Sequence, residues 1–157
     1  MNQNRRTVLK ASSGLTVLGL AVAAGLIKPN EVFAAAGYPD KAFGAKSLDG
    51  LMKALGAGMP TESKDITVIA PDIAENGAVV PVGADSRLKN TTEVALLVAN
   101  NPSMLSAQFM IPAGTDAKVN TRVKMGKSSD VYALVKADGK YYFAKKEVKV
   151  TLGGCGG

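Results

Sequence analysis

The chain has 157 residues, enough for one domain, with 46% hydrophobic residues and a formal net charge of +6. It contains no His, no Trp and a single Cys, Cys155. These absences exclude a Ser-His-Asp triad, a His general base, a His-ligated metal, and any zinc, iron–sulfur or CxxC centre built by this chain alone. No cofactor is expected, and any chemistry at Cys155 must be completed by a partner.

At the start of the chain, Asn4-Arg5-Arg6-Thr7-Val8-Leu9-Lys10 places a twin arginine before an apolar stretch from Ala11 to Ile27. That stretch is diluted by Ser12, Ser13, Gly14, Gly19 and Gly25 and is followed by Lys28-Pro29. Small residues then cluster at Val32-Phe33-Ala34 and Ala34-Ala35-Ala36, either of which suits a signal peptidase. The pattern is similar to a twin-arginine export signal, which carries folded proteins to the periplasm. Residues 1–34 are therefore expected to be cleaved, leaving a helix plus β-sandwich domain over residues 35–152 and a tail over 153–157. The alternative, an uncleaved anchor, is opposed by a short apolar run poor in large side chains. Folded export without a cofactor to insert points to travel as a preassembled complex with a second subunit.

Removing residues 1–34 takes away four basic residues and one acidic one, leaving a net charge of +3. That charge is uneven: residues 35–116 sum to −3, whereas residues 117–157 sum to +6. The basic end is the end that carries the thiol.

Pro39-Asp40 supplies a helix start, and Leu48, Leu51, Met52 and Leu55 recur at helical spacing before Gly56, Gly58 and Pro60 stop it. One helical segment, with its apolar face packed on the domain, is expected; a partner-binding groove helix is the alternative. Everything after Lys64 reads as strands. Ile66–Ala70 and Ala78–Val82 flank the turn signal Glu75-Asn76-Gly77. Residues Glu93–Ala99 are nearly all apolar and suit a central strand ended by Asn100-Asn101-Pro102. Along Met104–Ile111, Leu105, Ala107, Phe109 and Ile111 share a face. In Lys118–Lys124, Val119, Thr121 and Val123 oppose Lys118, Asn120, Arg122 and Lys124. Val131–Lys136 and Tyr141–Val150 flank Asp138-Gly139, a tight hairpin signal. Seven such strands predict a mainly β protein: an immunoglobulin-like antiparallel β-sandwich with an N-terminal helix. Its open edges call for a β-rich partner.

The tail reads Gly153-Gly154-Cys155-Gly156-Gly157. Glycines supply no side chain to pack, so this is expected to be a flexible, thin arm that could enter a narrow channel of another protein. An extended arm carries the Cys155 backbone roughly 10 Å beyond Leu152. No cation adjoins the thiol in sequence, and the Gly157 carboxylate disfavours the thiolate, so an ordinary thiol is expected until a partner activates it. An intermolecular disulfide, a lipid attachment or an inert tail are the other readings of a lone cysteine. Lipid-bearing cysteines, however, follow the signal rather than end the chain. A thiol peroxidase is opposed by the missing His.

The twin arginine, the helix followed by a β-sandwich, the Gly-Gly-Cys-Gly-Gly tail, and Ala70-Pro71-Asp72-Ile73-Ala74-Glu75-Asn76-Gly77 followed by Val80-Pro81-Val82 together resemble the SoxY family of sulfur carriers. The resemblance implies that Cys155 is the covalent attachment point for sulfur intermediates, with Gly153, Gly154, Gly156 and Gly157 forming its swinging arm. It also implies a heterodimer with a SoxZ-like subunit, and SoxXA-, SoxB- and SoxCD-like enzymes acting on the carried sulfur. The chain itself would catalyse nothing. Because the carried species are anions, Lys145, Lys146 and Lys149 are candidates for steering them, or acidic partner surfaces, toward the arm. A solvated strand face is the plainer reading of these lysines. The rival function is an exported structural β-sandwich that dimerises through a Cys155–Cys155 disulfide.

Overall fold

A computed structural model describes residues 40–151. The expected helix is split in two: α1 (Asp40–Phe43) and α2 (Leu48–Ala54). The break falls where Gly44 weakens the helix and Ser47 restarts it. The Ser47 backbone is extended, and its hydroxyl accepts the Gly50 N–H at 3.1 Å. Leu51 and Met52 of α2 are buried, together with Ala42 of α1.

Nine strands follow: β1 (Thr61–Glu62), β2 (Ile66–Ile69), β3 (Ile73–Ala74), β4 (Val80–Ser86), β5 (Thr91–Val98), β6 (Leu105–Met110), β7 (Lys118–Val123), β8 (Ser129–Ala137) and β9 (Lys140–Val150). Seven correspond to the strands expected from the sequence. The second of these runs Val80–Ser86 rather than Ala78–Val82, because β4 pairs with β7 from Val80 to Asp85 and with β2 from Gly83 to Ser86. The two additional strands, β1 and β3, are two residues each and lie parallel to β9. Pieces that short carry no periodic signal and exist because the partner strand captures them.

One sheet has the order β1-β9-β8-β5-β6, with β3 also on β9; the other has the order β2-β4-β7. Between them lies an apolar core that includes Val80, Val82, Val94, Leu96, Val98, Val131, Val135 and Val148. The helices cover the opposite face of the larger sheet, over Ala95, Leu97, Leu105 and Leu134. Strand β5 is thus buried on both faces, which explains its nearly continuous apolar run. The β8–β9 hairpin turns at Asp138 (φ 49°) and Gly139 (φ 73°), and the two left-handed residues match the twist of the flanking strands.

One polar group is enclosed on the helix side. Glu93 is 6% exposed and accepts the Gln108 Nε2–H at 2.8 Å. Burial, together with the Glu93 charge and a hydrogen bond to it, pushes the Tyr141 hydroxyl from its ordinary 10.0 up to about 12. The fold therefore favours neutral Tyr141. That stability is intact below the ordinary tyrosine value and is lost as pH rises through the higher one. The melting temperature should fall as pH climbs from 10.0 toward 12, and Tyr141→Phe should flatten that part of the profile.

Candidate functional site

Cys155 and the glycines at 153, 154, 156 and 157 lie outside the described residues. The root of the tail, up to Thr151, lies inside them, and the sequence arranges its surroundings closely. Strand β3 runs parallel to the end of β9, with Ile73 beside Lys149 and Ala74 beside Val150. The Lys149 N–H donates to Asp72 O at 2.9 Å, and the Thr151 N–H donates to Ala74 O at 3.1 Å. On the other edge of the strand, the Val150 N–H donates to the Ser128 hydroxyl oxygen at 2.9 Å. The Thr151 hydroxyl donates to Glu75 O at 3.4 Å.

The turn expected at Glu75-Asn76-Gly77 is present and closes around this root. The Asn76 side chain accepts the Ala78 N–H at 2.9 Å, a local bond that bends the chain sharply. Gly77 O accepts the Met125 N–H at 2.7 Å. A Cβ on Gly77 would sit 2.4 Å from Met125 O and 2.8 Å from Val150 Cγ1. Glycine is required here for room rather than for an unusual φ.

The three candidate lysines do not form one patch. Lys145 and Lys149 lie on the same face of β9, about 13 Å apart at strand spacing, and Lys146 lies on the other. Lys145 bonds Asp130 at 3.2 Å and sits 6.0 Å from the Tyr132 ring centre; the hydrogen bond and charge of Asp130 raise its pKa. Lys146 donates to Ala70 O at 2.6 Å and pairs with Asp72 at 2.9 Å, so it fastens the chain leading into β3. Lys149 is exposed and makes no ion pair with the described residues.

Sequence reasoning passed over Ser128 and gave Asp72–Gly77 no role beyond a turn and a family likeness. The Asn-Gly pair was the available signal for the turn. Nothing in sequence showed that its glycine would meet Val150, a contact 73 positions away that depends on the parallel β3–β9 pairing. Among the described residues, no group of three or more His, Cys, Asp and Glu side chains is placed to hold a metal.

The fold and this site define a class: an immunoglobulin-like β-sandwich with helices on one face and a last strand rooted on both edges before it passes into a glycine tail. The family model described as sulfur oxidation protein SoxY matches residues 51–155, and the chain belongs to the SoxY family. The structure of the sulfur carrier protein SoxY from Chlorobium limicola f thiosulfatophilum is similar at 36% identity, covering 68% of this chain and 97% of that one, with a TM-score of 0.62. A superoxide reductase (neelaredoxin) from Ignicoccus hospitalis is 18% identical over 57% of this chain and 82% of its own, with a TM-score of 0.49. No curated protein sequence matches the chain significantly.

Proposed function

We propose that this chain carries sulfur intermediates covalently on Cys155 during periplasmic thiosulfate oxidation and presents them to partner Sox enzymes. The observation that carries the reading is the family match, which runs from α2 through Cys155 itself. In the loading step, the thiol proton and two electrons leave as Sγ bonds the outer sulfur of thiosulfate, giving a cysteine S-thiosulfonate. A SoxXA-like c-type cytochrome takes the electrons. Water, directed by a SoxB-like enzyme, then cleaves the bond to the sulfonate, releasing sulfate and two protons and leaving a persulfide anion. Where a SoxCD-like enzyme is present, it takes six electrons from the remaining sulfane sulfur as three waters supply oxygen and six protons leave, giving a cysteine S-sulfonate. Hydrolysis by one further water then releases sulfate and a proton and frees the thiol. The chain is the substrate-bearing subunit throughout and catalyses none of these steps.

A SoxZ-like partner is supported by strand β6, which among the described residues pairs with β5 alone. The Ile111 N–H donates to Thr92 O at 2.9 Å, so by antiparallel alternation the backbone groups of Gln108 and Met110 face outward. Strand β6 carries no charge and no proline, and Met110 is 71% exposed, so a β-rich subunit can extend this edge. Of the three lysines, Lys149 is the one available to an incoming anion. Lys149→Glu should slow conjugation with thiosulfate, more so at low salt; equal rates at low ionic strength would remove Lys149 from the steering role.

The deciding experiment is the mass of the protein isolated from cells growing on thiosulfate. Adducts of thiosulfate and of single sulfur atoms on Cys155 are expected. A Cys155–Cys155 dimer that stays silent in every sulfur assay would instead establish the structural rival. Replacing both Arg5 and Arg6 with lysine should strand the chain in the cytoplasm, as fractionation would show; unchanged export would defeat the twin-arginine assignment.

A further inference from the structure

Strand ends are ordinarily where a chain frays. Here three successive backbone N–H groups, those of Lys149, Val150 and Thr151, are each captured: by Asp72 O, the Ser128 hydroxyl and Ala74 O, at 2.9, 2.9 and 3.1 Å. The acceptors alternate between the two edges of β9, so the strand cannot peel away from one side without being held by the other. Lys146, bound to Ala70 O and Asp72, holds down the segment that supplies two of these acceptors. Gly77 completes the arrangement by letting the 75–79 turn close onto both Met125 O and the Val150 side chain, with no room for a methyl group. The loop before β8 and the loop before β4 thus converge on the last residues of β9, although neither supplies a reactive group.

Building on the carrier reading, we infer that Ser128 and Gly77 are positioning residues for the sulfur-bearing arm. They hold Thr151 at a set point and direction, so that the arm's reach is measured from a stationary root. Four residue steps separate Thr151 from Cys155, which bounds the reach of the Cys155 backbone at about 14 Å. A partner's reaction centre deeper than that from the docking surface is out of range. If the root frayed by two residues, the bound would rise by about 7 Å, and the spread of accessible positions would rise with it. Ordering the root in advance lowers the entropy that a partner enzyme must remove to bring the thiol into line, and displacement of about 1 Å at a reacting centre can cost up to a hundredfold in rate. A purely structural role for the same residues would make the fold more stable without changing how partner enzymes use the arm.

The test compares wild type with Ser128→Ala, Ser128→Thr and Gly77→Ala. Four readouts apply: amide hydrogen exchange at Val150, melting temperature, the rate of Cys155 alkylation by iodoacetamide, and kcat and KM for loading with thiosulfate by the conjugating enzyme of the same organism. In Ser128→Ala, exchange at Val150 should quicken and enzymatic kcat/KM should fall about fivefold, the equivalent of one lost hydrogen bond. Alkylation by the small reagent, which requires no alignment, should keep its wild-type rate. Ser128→Thr keeps the hydroxyl and should restore loading. Gly77→Ala should lower kcat/KM by about tenfold; if that variant fails to fold, Ser128→Ala and Ser128→Thr decide the question. Wild-type loading by Ser128→Ala despite faster exchange at Val150 overturns the inference and leaves the carrier reading standing. A wild-type chain that takes up no sulfur at all overturns both.

Discussion

On the carrier reading proposed above, Cys155→Ser should leave the domain folded and remove every covalent sulfur adduct, so that a reconstituted system of partner enzymes releases no sulfate from thiosulfate above background. The variant differs by one atom, yet the chemistry depends on that atom. A thiol is measurably ionised near neutral pH and is easily oxidised to a bond with another sulfur, whereas a serine hydroxyl is neither. The chain has no second cysteine to substitute for it. Thermal denaturation should not distinguish the variant from wild type, because among the described residues the core clusters are built from the helices and strands. Mass spectrometry after exposure to thiosulfate and the partner enzymes is the check. Adducts persisting on the Cys155→Ser variant would place the attachment point elsewhere and end the assignment of Cys155.

The largest effect on stability is expected from Leu96→Ala. Leu96 is fully buried in β5, the strand flanked by β6 and β8, and its side chain lies in the core between the two sheets. Truncation removes the transfer free energy of the side chain and leaves a cavity that a close-packed interior closes only in part, at a cost of about 3 kcal/mol. No disulfide can compensate, since the chain has one cysteine. For a domain of this size the melting temperature should drop by roughly 15 °C, with a matching shift in the urea midpoint. Met110→Ala, on the exposed β6 edge, is the control and should stay within about 0.5 kcal/mol of wild type. A Leu96→Ala variant as stable as that control would mean that the interior between the sheets is far more adaptable than its packing indicates.

Much of the fold was legible because burial imposes a period. In β7, Val119, Thr121 and Val123 turn inward while Lys118, Asn120 and Arg122 remain exposed, as the alternation requires. The two-sided burial of β5 was readable in the unbroken run Val94–Val98, and the hairpin in Asp138-Gly139. The helix was legible as an apolar face but not as two pieces, because the Ser47 cap reveals itself only when its hydroxyl meets Gly50. Strands β1 and β3 were not legible at all. Two residues cannot show a period, and their pairing with β9 is set by where the rest of the chain returns.

The lysines illustrate the same boundary. Lys145, Lys146 and Lys149 read as equivalent candidates for steering anions, but Lys146 lies on the opposite face of β9 from the other two and spends its ammonium on Ala70 O and Asp72. Sequence counts charge without counting the partners that a fold brings to it.

By itself, the sequence determined what chemistry this chain can offer: one thiol among glycines, no imidazole, and a sandwich-forming pattern of short strands. Composition and local periodicity suffice for that, since they fix which groups exist and which faces must be buried. Only the tertiary structure decided how the thiol's tail is rooted. The bonds from Asp72, Ala74 and Ser128 to the end of β9, and the absence of room for any side chain at Gly77, join segments distant in sequence. Such contacts depend on strand order and register, which are global properties that no local stretch of residues encodes.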